Sequence, residues 1–148
     1  MADVAELLDR DAILTDCAAA DRIEAVSRAG EVLARLGAVR EGYAEAMVER
    51  ELTFSSYLGE GVAIPHGTDE SRALVERTAL VHLRFPDGVD WDGQTVTVCI
   101  GIAARGDEHM AVLGGLARVL GDPERAAALR AATDPDEVLA ILASGTEG

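Results

Sequence analysis

Three histidines occur in the chain, and the neighbours of one of them place it. His66 stands between Pro65 and Gly67, at the end of the short apolar run Gly61-Val62-Ala63-Ile64. Proline fixes its own φ and biases Ile64 towards extended geometry, while glycine lets the backbone turn sharply or come close to a ligand. An imidazole delivered to a surface in this way has three uses: nucleophile, proton shuttle or metal ligand. Its ordinary pKa of about 6.5 leaves one ring nitrogen with a free lone pair at neutral pH. The competing reading is a buried histidine satisfied by a backbone carbonyl, and the Pro and Gly flanks weigh against it.

Two further residues could serve the same chemistry. His109 follows Arg105-Gly106-Asp107-Glu108 and falls in the first turn of an expected helix. The positive end of a helix dipole disfavours ring protonation and favours an anion beside it, which suits a neutral hydrogen-bond donor to an anion. Arg50 falls in the last turn of another expected helix. By itself that position implies no more than a guanidinium complementing the dipole, worth about 0.3–1 kcal/mol.

The segment Tyr57-Leu58-Gly59-Glu60, running on into Gly61 to Thr68, resembles the active-site segment of mannitol/fructose-type enzyme IIA. These are phosphocarrier proteins of the bacterial sugar phosphotransferase system, and the likeness is closest to the mannitol branch. It covers nearly the whole chain, with matches at Ala46-Met47-Val48-Glu49-Arg50-Glu51, Gly101-Ile102-Ala103-Ala104-Arg105 and Asp107-Glu108-His109. The resemblance implies a single enzyme IIA domain over residues 1–148, an α/β fold with a mixed β-sheet and helices packed on both faces. It implies that His66 accepts a phosphoryl group from the carrier HPr and passes it to a cysteine of enzyme IIB on a separate chain. His109 would assist, Arg50 would contact the phosphate, and neither metal nor cofactor is called for. Thr53-Phe54-Ser55-Ser56 departs from the threonine- and proline-containing stretch usual there. A regulatory IIA of the nitrogen-related branch, which acts by binding target proteins, shares the fold and the histidine. Tyr57 to Glu60 and Gly101 to Arg105 favour the mannitol side.

Phosphoryl transfer passes through a loose transition state with charge on three equatorial oxygens, so catalysis is alignment plus donors around them. His66 is then the in-line nucleophile, Arg50 supplies a planar fork of donors and His109 supplies one more. A nitrogen nucleophile that is already neutral needs no strong base.

Composition narrows the classes. With 27 acidic residues against 13 basic ones, the formal charge of −14 opposes nucleic acid and anionic membranes and favours a basic protein partner. No apolar run reaches the roughly 20 residues of a membrane span, and the acidic N-terminus is unlike a signal peptide, so a cytoplasmic chain is expected. Cys17 and Cys99 have no metal-ligand spacing and read as free thiols; no phosphate-binding loop follows Cys17 to make it a fused IIB cysteine. The sequence contains no H-E-x-x-H, no nucleotide-binding G-x-x-x-x-G-K-[ST] and no G-x-S-x-G.

The elements that must position these residues follow from periodicity. Asp21 and Glu24 have capping-box spacing and Gly37 supplies a stop, giving a helix from Asp21 to Leu36. A second helix is expected from Glu41 to Leu52, with Tyr43, Met47 and Val48 on its apolar face. Ala12 to Thr15 reads as an edge strand or packed turn. Thr78 to Phe85 alternates, with His82 expected on a half-exposed face, and Pro86-Asp87-Gly88 reads as a turn. The β-branched run from Thr95 to Ala103 reads as the middle strand. Helices are expected from Glu108 to Leu120, with Met110 on the apolar side, and at Pro123 to Ala131 and Pro135 to Leu142, each with proline near its start. The tail from Ser144 to Gly148 is expected to fray.

Overall fold

The computed structural model describes residues 4–106 and 108–144, which leaves Asp107 and the expected frayed tail beyond Ser144 outside the described residues. After a short helical turn, Val4–Leu7, the chain runs β1 (Leu8–Leu14), α1 (Arg22–Arg35), α2 (Tyr43–Thr53), β2 (Tyr57–Gly59) and β3 (Val62–Ala63). A helical turn, Glu70–Leu74, precedes β4 (Ala79–Trp91), β5 (Gln94–Ala103), α3 (Glu108–Leu120), α4 (Pro123–Ala131) and α5 (Pro135–Ser144). The five strands form one mixed sheet in the order β1-β4-β5-β3-β2, so the Thr95 to Ala103 run is the middle strand, as expected. β1 pairs parallel with β4 and β5 parallel with β3, while the β4–β5 and β2–β3 pairs are antiparallel.

Helices cover both faces. On one side a Cβ at Gly101 would stand 2.8 Å from Val81 Cγ2 and 2.9 Å from Ala29 Cβ, so the missing side chain is what lets α1 lie on the sheet. Asp21 caps α1 through its side chain, 2.9 Å from the Glu24 N–H, and Glu24 returns a carboxylate to the Ala20 N–H. On the other side Arg84 donates through Nε to the Arg130 carbonyl of α4 at 2.7 Å and through Nη1 to Thr15. His82 shares that second face and has no solvent exposure, which corrects the half-exposed strand expected from alternation. The alternation along β4 is real, but α3 to α5 bury the face that a two-layer reading leaves in water.

Two boundaries and one helix face also differ. Pro86-Asp87-Gly88 does not end β4; the pairing slips between Arg84 and Val89 and resumes to Trp91 opposite Gln94. The reversal falls on Asp92-Gly93, with φ of 53° and 90°, a two-residue Asp-Gly hairpin that the earlier proline masks in the sequence. α2 starts two residues after the expected Glu41 because Gly42, at φ 103°, forms its N-cap. Met110 is 72% exposed, since the buried stripe of α3 runs through Val112, Leu116, Val119 and Leu120.

His82 carries a stability cost with a defined pH signature. Neither ring nitrogen has a hydrogen-bond partner among the described residues, and its pKa is lowered to about 4, mainly by burial. The ring's own backbone acts in the opposite direction and Arg84 adds to the lowering. The unfolded chain binds this proton near pH 6.5 and the folded chain only near 4, so stability falls as pH drops through that window. The loss attributable to this group should reach about 3 kcal/mol. His82→Leu, close in volume and free of polar atoms, should raise the denaturation midpoint at neutral pH and flatten its decline between pH 6.5 and 4. Equal slopes for parent and variant would contradict this account.

Candidate functional site

His66 sits just beyond β3, where the sheet keeps hold of the backbone after the strand has ended. The Ile102 N–H donates to the Pro65 carbonyl at 2.9 Å, and His66 pairs with Ile102 in a parallel bridge. Gly67 is fixed in turn: its N–H donates to the Tyr43 hydroxyl at 3.1 Å, and that hydroxyl donates to the Ile102 carbonyl at 2.8 Å. A Cβ on Gly67 would lie 2.3 Å from Ser71 Oγ and 2.8 Å from Tyr43 Cε1, so close approach requires the glycine. His66 is therefore held from β5, from α2 and from the turn at Ser71.

The ring itself has one defined orientation. Nδ1 lies 3.1 Å from the Ile64 carbonyl oxygen, which can only accept, so Nδ1 carries the proton and Nε2 keeps its lone pair. The pKa of His66 is lowered from the usual histidine value, first by burial and further by the Arg50 and Arg72 charges. The Ile64 carbonyl and Glu51 oppose that shift.

His109 is the second residue of α3, directly after β5, and its ring centroid is 4.8 Å from that of His66 with the planes at 62°. The two histidines meet at the C-terminal edge of the parallel β3–β5 pair, where α/β sheets present ligands. Burial comes first in lowering the His109 pKa to about 4, followed by His66, Arg72 and Arg50, with Asp69 opposing. Neutral imidazole is thus the resident form of both rings at neutral pH.

Arg50 occupies the last turn of α2, half-exposed, and its charge reaches both histidines. Its Nη1 donates to the Phe54 carbonyl at 2.9 Å, and the guanidinium carbon lies 5.3 Å from the centroid of the Phe54 ring. The three residues singled out in the sequence thus converge. His82 does not join them, being enclosed in the sheet.

Sequence reasoning missed two contributors. Arg72, in the Glu70–Leu74 turn, acts electrostatically on both histidines and is ion-paired with Asp69 at 3.0 Å. Its one trace in the sequence is that it is the first basic residue after His66 in an otherwise acidic stretch. The spacing of Tyr43 places it on an apolar face, and nothing in helical spacing reveals that its hydroxyl bridges Gly67 and β5.

The family model described as "Phosphoenolpyruvate-dependent sugar phosphotransferase system, EIIA 2" matches residues 6–145. The chain is 37% identical over 139 residues to the mannitol-specific phosphotransferase enzyme IIA component of Staphylococcus aureus, covering 94% of this chain and 96% of that one. It is 44% identical over 124 residues to the multiphosphoryl transfer protein of Vibrio cholerae, covering 83% of this chain but only 31% of that longer protein. Among solved structures it is similar to the complex of enzyme IIAMTL and phosphorylated enzyme IIBMTL from Escherichia coli, at a TM-score of 0.85 and 37% identity. That match covers 93% of this chain and 99% of the other.

Proposed function

Since the chain belongs to the EIIA 2 family of the phosphoenolpyruvate-dependent sugar phosphotransferase system, we propose that it is a mannitol-type phosphocarrier. In this reading residues 1–148 form one enzyme IIA domain, cytoplasmic, that takes a phosphoryl group from phosphorylated HPr and hands it to a cysteine of a separate enzyme IIB. The observation that carries the assignment is the Nδ1 contact of His66 with the Ile64 carbonyl, which leaves Nε2 free beside His109.

The chemistry follows from that geometry. The Nε2 lone pair attacks phosphorus in line, a new P–N bond forms, and the bond to the donor breaks with its electron pair leaving on the donor. The positive charge that develops on the His66 ring is spread towards Nδ1–H, whose hydrogen bond to Ile64 strengthens as it becomes charge-assisted. Arg50 and His109 donate to the equatorial oxygens, and no proton has to be removed from the nucleophile. Onward transfer reverses the sense: a thiolate attacks phosphorus, the P–N bond breaks, and the ring returns to neutral.

Similarity to the IIAMTL chain of the Escherichia coli complex supports IIB as the acceptor. Leu52 and Phe54 beside Arg50 in the chain, and Met110 beside His109, are exposed apolar side chains suited to docking a partner at this edge. No helix among the described residues is long and apolar enough to cross a membrane.

The deciding experiment mixes the purified protein with phosphorylated HPr and, separately, with mannitol and fructose IIB domains, following the phosphate. One phosphate should appear on this chain and move to the mannitol IIB faster than to the fructose IIB. Phosphorylation of this chain with no transfer to either IIB would reject the sugar-carrier reading in favour of a regulatory IIA.

A further inference from the structure

Resting on the phosphocarrier reading, we propose that Glu51 is a positioning residue for Arg50: its buried carboxylate, held by Ser56 and the indole of Trp91, fixes the loop against which the Arg50 guanidinium lies. Glu51 immediately follows Arg50 in α2 and is 3% exposed. A carboxylate removed from water is strongly disfavoured unless hydrogen bonds replace its hydration. Here three donors converge on it. The Ser56 backbone N–H lies 3.1 Å from Oε2, the Trp91 indole N–H lies 2.9 Å from Oε2, and the Ser56 hydroxyl donates to Oε1.

These bonds tie three elements together: the end of α2, the residue before β2, and the far end of β4. Between Glu51 and Ser56 the chain reverses, and Phe54 lies within that reversal. Both groups that hold Arg50, the Phe54 carbonyl at 2.9 Å and the Phe54 ring at 5.3 Å, belong to it. Phe54 is 66% exposed, so packing in the core does not fix its place. On the helix side its N–H caps α2 by donating to the Arg50 carbonyl at 3.0 Å, and on the far side the loop is anchored at Ser56, by the Glu51 carboxylate and by the Ile64 N–H, which donates to the Ser56 carbonyl at 2.9 Å. With three donors engaged and only 3% exposure, the carboxylate acts as a structural clamp for the loop under the guanidinium.

The test is a double-mutant cycle on single-turnover phosphorylation by phosphorylated HPr, with circular dichroism monitoring the fold. Glu51→Ala should slow transfer at saturating donor by roughly ten- to a hundredfold, the scale expected when a positioned group moves by about an ångström. The half-saturating donor concentration should change by less than about twofold, because the loss is in alignment and not in docking. In an Arg50→Ala background the same substitution should cost less than about twofold, since the two residues act as one unit. Glu51→Gln should retain at least about a third of the parent rate: its amide oxygen accepts from Ser56 and Trp91, while its NH2 donates to a rotated Ser56 hydroxyl.

If Glu51→Ala does not fold, Ser56→Ala takes its place in the cycle, with a loss of about three- to tenfold that likewise disappears in the Arg50→Ala background. Losses that multiply in full across the cycle overturn the proposal, as does a Glu51→Gln variant as slow as Glu51→Ala, which would make charge the issue and not position. No phosphate uptake by the parent overturns the phosphocarrier reading and this proposal together. Uptake by the parent with multiplying losses overturns this proposal alone.

Discussion

A His66→Ala variant should take up no phosphoryl group from phosphorylated HPr, where the parent gains one. In the proposed transfer the loss is total because the substitution removes the acceptor atom, Nε2, and no other group among the described residues at this edge of the sheet offers a neutral nucleophile held in the same place. His109 is the nearest substitute, and its ring is fixed to α3 at a centroid distance of 4.8 Å, not on the β3 extension that aims His66. The fold should survive, since His66 is half-exposed and its ring makes one hydrogen bond, to its own segment. Intact mass and thermal melting together check this: an unchanged melt with no added phosphate is the expected pair. A phosphate retained by the variant would require another acceptor.

The same residue fixes the acid limb of the pH profile. The nucleophile must be unprotonated, and burial lowers the His66 pKa below the usual 6.5, with Arg50 and Arg72 adding to the effect against Ile64 and Glu51. Protonation is therefore postponed to more acid solution. The phosphorylation rate, measured with an excess of phosphorylated donor, should fall on the acid side with a midpoint below pH 6.5.

His109→Ala should slow transfer by roughly ten- to a thousandfold while leaving the phosphorylated species detectable, by analogy with removal of a single oxyanion donor. The reason for a partial loss is that, in the proposed mechanism, His109 supplies a hydrogen bond to phosphate and not the reacting atom. Its pKa of about 4 means that the donor at neutral pH is an uncharged N–H, kept so chiefly by burial and then by its neighbours His66, Arg72 and Arg50. Bringing a phosphoryl dianion within reach reverses part of that balance. The His109 pKa should accordingly rise on phosphorylation of His66, which NMR titration of the ring protons can follow. Transfer by His109→Ala at the parent rate would return His109 to an ordinary first-turn residue and dissolve the two-histidine site.

The sequence alone marked the candidate reacting groups and the elements that carry them. Pro65-His66-Gly67 marked a placed imidazole, the capping pair Asp21 and Glu24 marked the start of α1, and Thr95 to Ala103 marked the middle strand. Each is a local signal: backbone restriction, a side chain returning to its own helix end, or an apolar run with one period. The convergence of Arg50, His66 and His109 was legible through the resemblance of their segments to enzyme IIA, because residues from three distant segments share no spacing that periodicity could register. What only the tertiary structure decided are contacts between elements remote in sequence. His82 is buried because α3 to α5 close over a face that alternation by itself leaves half-open, and the hairpin turns at Asp92-Gly93 because β4 bulges past Pro86 and keeps pairing. Arg72 joins the site because the turn after His66 folds back towards it. Glu51 becomes a clamp because Trp91, forty residues on, brings its indole N–H to the end of α2. Hydrogen bonds of that kind depend on which surfaces meet, and a linear pattern of residue types holds no record of that.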